Sequence, residues 1–227
     1  MKKIVCIFAI FLMAAAGLSA QDNEKVEKPW NLALKGGGLV SINENAYSYR
    51  ENGAFQKLFG YQAGLAVGYD FTKLFGIRLD ALYGKNAGAG NTRETSGDKY
   101  YPYTFSSVSA FLDAIVNVNP NGTLFYPKFY AGLGGACSFG FSELNHPSQK
   151  LPAVAGAFGV RIGFIAEFRV SPVFSIYADL SSEGFTDKFD GMKPSKEEIK
   201  ETEGYPGYPG FPLDVRGLAS LGLCFHF

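Results

Sequence analysis

From about residue 30 onward, apolar and polar side chains change places at every second position. The clearest run is 58–71, LFGYQAGLAVGYDF, in which Phe59, Tyr61, Ala63, Leu65, Val67, Tyr69 and Phe71 alternate with Gly60, Gln62, Gly64, Ala66, Gly68 and Asp70. A period of two places the first set on one face of a β-strand and the second on the other. Further runs lie at roughly 30–42, 75–84, 106–118, 124–140, 156–170 and 174–181, and the last runs from about Leu213 to the C-terminus. In that last run Leu221, Leu223, Phe225 and Phe227 alternate with Gly222, Cys224 and His226.

The connections between these runs alternate in length. TKL (72–74), NPNGT (119–123) and SPV (171–173) are short and rich in turn formers, whereas 43–57, 85–105, 141–155 and 182–212 are long. An even-stranded antiparallel meander with turns at one end and large loops at the other is the pattern of a transmembrane barrel. The expected fold is therefore all-β, an eight-stranded antiparallel up-and-down barrel with short periplasmic turns and long extracellular loops.

Alternation alone does not say which face is outside. The polar face is rich in glycine (Gly60, Gly64, Gly68, Gly159, Gly163), which weakens an exposed strand but suits the inside of a narrow barrel. Tyr61 and Tyr69 are separated by roughly 19 Å on a tilted strand, about the height of a lipid-facing band between aromatic girdles. The apolar face is accordingly expected to meet lipid, with Tyr61, Tyr69 and Phe71 in the girdle.

The N-terminus, MKKIVCIFAIFLMAAAGLSAQ, has a basic start, an apolar stretch and small residues before a cut, which reads as a secretory signal. Cleavage is expected after Ala20, with Gly17 the alternative. The chain then divides into a signal peptide at 1–20, a periplasmic tail at 21–29 and a barrel domain at 30–227. Losing Lys2 and Lys3 and no acid leaves 19 basic against 21 acidic residues, a balance that steers nothing toward nucleic acid. Aromatic residues are 15% of the chain and glycines number 28, a composition for strands rather than helices. Cys137 and Cys224 fall on separate strands near opposite ends, so no disulfide is expected between them.

The signal peptide, the eight alternating runs and the terminal LCFHF together resemble the small outer-membrane β-barrels of Gram-negative bacteria, the OmpA/OmpX-like and porin-family barrel domains. The resemblance implies that both termini are periplasmic. It also implies that Leu223, Phe225 and Phe227 form a C-terminal signal for the outer-membrane insertion machinery. The implied partners are outer-membrane lipid and that machinery. Loops 85–105 and 182–212 are the candidate surface for another partner, with no nucleic acid partner and a monomeric state expected.

Charged residues on the polar face are Lys35, Arg78, Asp80, Asp113, Lys128, Arg161, Glu167, Arg169, Asp179, Asp214 and Arg216, six basic and five acidic. They read either as a constriction tuning ion passage or as a salt-bridge network filling the lumen. Near-balanced signs in a bore of eight strands favour the network. For catalysis the sequence offers His146 with Ser148, and Glu143 nearby, in one loop; a solvated loop histidine explains them as well. The cysteines lack metal-site spacing, and Gly36–Gly38 lack the lysine and helix of a phosphate loop, so no metal, cofactor or catalytic residue is expected. In the last loop Ser195 and Glu198 form a capping box, and GYPGYPGFP makes either a binding strip or a lid. The expected role is structural or surface interaction. A narrow porin-like passive channel is the alternative, and a lipid-modifying barrel enzyme the third reading.

If the terminal alternation is an insertion signal, deleting Phe227 should leave unassembled protein in the periplasm while still permitting refolding from urea into detergent. The lost contact contributes only roughly 1.5–3 kcal/mol, which a closed barrel survives. His226→Ala, outside the apolar row by parity, should reach the membrane normally. Cell fractionation and heat-modifiable gel mobility distinguish the two variants.

Overall fold

The computed structural model describes residues 26–41, 59–94, 97–142, 152–186, 189 and 213–227, and of 88–102 and 213 the backbone only. The proposed signal peptide, the His146/Ser148/Glu143 group, the capping box and the Tyr/Phe-Pro-Gly strip all lie outside these residues. Among the described residues there is no helix. The elements are β1 (Trp30–Ser41), β2 (Phe59–Asp70), β3 (Phe75–Glu94), β4 (Gly97–Asn117), β5 (Phe125–Phe139), β6 (Val154–Ser171), β7 (Phe174–Thr186) and β8 (Leu213–His226). Each pairs antiparallel with its neighbours in chain order, and β8 returns to β1, so the sheet closes as an eight-stranded barrel. The closing ladder runs from Asn31 opposite His226 to Ser41 opposite Arg216. It extends through the final residue, where Trp30 and Phe227 exchange backbone hydrogen bonds of 3.1 and 3.0 Å.

Side chains alternate about this wall as a period of two requires, and the apolar set is outside. Leu65 is 52% exposed and Ile162 65%, whereas Asp80 is fully buried and Arg161 1% exposed. Leu34, Leu79, Leu112, Phe158, Leu180 and Leu221 continue the exposed apolar surface around the barrel. Such a surface, far beyond the isolated patches of a water-soluble monomer, marks a protein whose solvent is hydrocarbon. At the end bearing the short turns, Trp30 and Tyr69 meet edge-on at 4.8 Å and Tyr69 and Phe71 at 5.3 Å. Phe125 with Phe168 and Phe174 with Phe225 pair at the same level. Tyr61 stands toward the opposite rim, 61% exposed.

The lumen is filled because small positions stand beside large ones. Tyr130 lies opposite Gly163 and Tyr177 opposite Gly222, and a Cβ at either glycine would collide with the tyrosine ring. Ala33, Ala66, Ile115, Tyr130, Ile165, Tyr177 and Cys224 make an apolar layer in the half nearer the turns. Tyr103, Phe105, Phe111, Phe185 and Phe189 make an aromatic layer in the other half.

Two boundaries differ from the sequence reading. The expected loop 85–105 is largely strand: β3 and β4 stay in register up to Glu94 opposite Gly97. The alternation fades there because a ribbon beyond the lipid band needs no apolar row, while its backbone ladder continues. β7 likewise runs five residues past Ser181, so the long connection expected at 182–212 begins within a strand.

Placing arginine at Leu65 or Ile162 puts a charge on the lipid face and should cost about 2–4 kcal/mol. Urea unfolding in lipid vesicles, followed by the fluorescence of Trp30, the single tryptophan, measures the loss. Tolerance of Leu65→Arg alongside failure of polar substitutions on the lumen face would mean that the faces are reversed.

Candidate functional site

The register brings charges from distant parts of the chain to one level of the lumen. Arg78 on β3 lies directly opposite Asp113 on β4, and Asp80 follows it by two residues on the same face. Asp113 then faces Gly132 on β5, which faces Arg161 on β6. A Cβ on Gly132 would press against the Asp113 carboxylate, so the missing side chain lets Arg161 reach across a whole strand. Arg161 Nη2 pairs with Asp113 Oδ2 and with Asp80 Oδ2 at 3.1 Å. Lys35 on β1 is flanked by Gly64 and Gly222 and extends to Asp80 at 2.6 Å and Asp179 at 2.9 Å. Arg78 Nη2 lies 3.2 Å from Asp113 and 3.7 Å from Asp179, and Tyr130 donates to Asp179 at 2.6 Å. The Arg78 and Arg161 guanidiniums also sit over the Tyr130 ring, at 4.5 and 5.3 Å.

Nearer the long-loop end, Arg216 on β8 holds Glu183 on β7 through two nitrogens, both at 2.6 Å. It also donates to Asn86 at 2.9 Å, Ser107 at 3.2 Å and Ser109 at 3.1 Å, so a single guanidinium spans the bore from β7 and β8 to β3 and β4. Its outer face is covered by Phe185 and Phe189, each ring centre 4.9 Å away, and those two rings stack at 4.2 Å. Phe189, from the connection after β7, thus lies in the barrel mouth, 3% exposed. In this central and outer lumen four cations (Lys35, Arg78, Arg161, Arg216) meet four carboxylates (Asp80, Asp113, Asp179, Glu183).

At the turn end, beneath the apolar layer, Lys128 Nζ lies 2.6 Å from Glu167 Oε2. Ser175 donates to Glu167 Oε1 at 2.7 Å, and His226 Nε2 is 2.9 Å from Ser175 Oγ and 3.0 Å from Glu167 Oε1. The trio superficially matches a serine nucleophile with a base and an acid. One imidazole nitrogen faces both partners, however, and Ser175 is fully buried with its proton directed to Glu167, so the geometry of a nucleophile relay is not present. Arg169 stacks on Tyr126 at 4.4 Å and is 3.9 Å from Glu167, beside a polar recess of about 640 Å³.

The structure therefore places Lys35, Arg78, Asp80, Asp113, Arg161, Asp179 and Arg216 in one continuous system. Lys128, Glu167 and Arg169 lie in a second, across the apolar layer. Asp214 is half-buried opposite Phe185, at the far end of β8. Leu223, Phe225 and Phe227 face outward. Sequence reasoning passed over Glu183 because β7 was ended at Ser181; extending the row Tyr177, Asp179, Ser181 by one step reaches it. Asn86 was hidden by the supposed loop, and the pairing of Gln62 with Ser220 at 2.8 Å joins two unremarkable polar residues across the seam. Among the described residues no group of His, Cys, Asp and Glu is arranged to hold a metal ion. Cys137 is exposed, Cys224 buried, and both are free.

No protein-family model matches the chain, and no curated protein sequence matches it. Solved structures do. Ail, the attachment invasion locus protein of Yersinia pestis, in complex with the heparin analogue sucrose octasulfate, matches with a TM-score of 0.48 and 14% identity over 89% of this chain and 100% of its own. The outer membrane protein OprG of Pseudomonas aeruginosa gives 0.48 and 12%, covering 88% and 97% of the two chains. A major outer membrane protein of Thermus thermophilus gives 0.47 and 13%, covering 87% and 99%. The barrel assignment rests on this chain's own strand register.

Arg161→Met removes one cation from a fully buried system, leaving Asp113 to Arg78 and Glu183 to Arg216 with one buried carboxylate in excess. It should lower unfolding free energy by about 3–5 kcal/mol, against under about 1.5 kcal/mol for Ile162→Met on the opposite face of the same strand. Parallel urea titrations in detergent compare them.

Proposed function

We propose that this protein is a monomeric outer-membrane barrel, a rigid, non-enzymatic anchor that carries surface-exposed segments. The observation that carries the reading is the inverted polarity of the barrel. Apolar side chains cover its outside, while balanced charges and aromatic rings occupy its inside, which suits a wall in lipid around a solid core. In this reading the short turns and both termini are periplasmic, and Leu223, Phe225 and Phe227 present the insertion signal on the lipid side. The long β3–β4 hairpin, together with the stretch of sequence that follows β7, is the candidate surface for a partner, with no role for nucleic acid. Phe189 itself lies over Arg216 in the barrel mouth. A porin-like role requires a path through the Arg161–Asp113–Asp80 level, where ion pairs already span the bore, and then past Ile115, Ile165 and Tyr177.

Purified protein in planar bilayers should give no discrete conductance steps at moderate voltage. Regular single-channel steps that disappear with a bulky substitution in the lumen would replace this reading with a passive channel. A deletion strain should in turn lose a surface-binding or membrane-integrity trait without change in small-solute uptake.

A further inference from the structure

The closing strand of a barrel is its weak element, since it joins last and ends at a chain terminus where fraying is normal. β8 has a complete backbone ladder on both sides, with His226 N–H donating to Val173 O at 3.0 Å and Phe227 paired to Trp30. Its inward row meets the rest of the barrel at Arg216 near the loops, at Ser220 through Gln62, and at His226 near the terminus. His226 is 4% exposed, and its Nε2 reaches Ser175 on β7 and Glu167 on β6, whose second oxygen is taken by Lys128 on β5. The imidazole also lines the floor of the polar recess at the turn end. Directly behind it in the inward row is Cys224, 7% exposed and part of the apolar layer.

We propose that His226 is a latch: its hydrogen bonds to Glu167 and Ser175 hold the end of β8 against β7 and β6 from inside the barrel, separately from the outward insertion signal carried by Phe227. The final residues then do two jobs by parity. The outward side chains bring the strand to the membrane, and the inward one fastens it to β7 and β6, on the side of β8 away from β1. Loss of the latch leaves β8 assembled but lets its end open, and the residue uncovered is Cys224.

Cys224 makes the idea measurable. In a Cys137→Ser background, membrane-inserted protein is treated with a water-soluble maleimide and the labelling rate of Cys224 is followed. His226→Ala and His226→Leu should each label about tenfold faster or more, the scale set by losing a buried hydrogen bond to a charged group. His226→Gln, whose amide can donate from nearly the Nε2 position, should stay close to the parent rate. Equal protection by leucine would show that the site only needs filling, and an unchanged rate in His226→Ala would show that nothing is latched; either result overturns the proposal. If His226→Ala fails to reach the membrane, the same variants are refolded from urea into detergent. Closure of the glutamine variant but not of the alanine variant, scored by heat-modifiable mobility, then supports the latch, and failure of both overturns it.

Discussion

A charge enclosed between apolar layers has to be neutralised where it stands, because water is not there to do it. In this barrel that requirement falls on a bore only eight strands around. Arg161 is the residue on which it presses hardest, reaching Asp113 past a strand and touching Asp80 from the same nitrogen. The reach exists because Gly132 offers no side chain in between. The same device recurs where Gly64 and Gly222 flank Lys35, and where Gly163 and Gly222 receive the tyrosine rings. Glycine weakens a strand taken alone, and here the loss is offset by the ion pairs and ring contacts that the empty positions admit.

Seen along its axis, the lumen is a stack of unlike layers: the polar group around Glu167, an apolar layer around Ile115 and Ile165, the charged level, then the aromatic layer capped by Phe189. An ion that could enter at the turn end meets an apolar layer, and a solute at the mouth meets stacked rings. The described side chains thus fill the bore level by level from the turn end to the mouth.

Much of this was legible in the sequence, and for a definite reason. Period-two alternation is a local property, so the eight strands and the face of nearly every residue, Leu65 and Arg161 included, could be read without knowing the register. What pairs with what is non-local. That Arg161 meets Asp113 follows from the β4–β5–β6 register, which no single segment encodes. Glu183 and Asn86 escaped because the apolar row fades where a strand leaves the lipid, while its hydrogen-bond ladder runs on. The hairpin past Lys85 was mistaken for a loop on the same ground. His226, outside the apolar row by parity, gained its partners from β6 and β7, far from it in sequence.

The interrupted charge row has one more consequence, for how the chain chooses among its own alternatives. The outward faces are nearly all large and apolar, so sliding a strand by two residues exchanges one leucine or phenylalanine for another at small cost. The inner face allows no such exchange. A two-residue slip of β6 against β5 would set Arg161 opposite Tyr130 or Gly134 instead of Gly132, in either case displaced along the bore from the Asp113 carboxylate that faces Gly132. The ion pairs thereby act as a key that only one stagger of the sheet fits, and since stagger and strand number together fix the width of a barrel, they select the girth of the molecule as well as its interior.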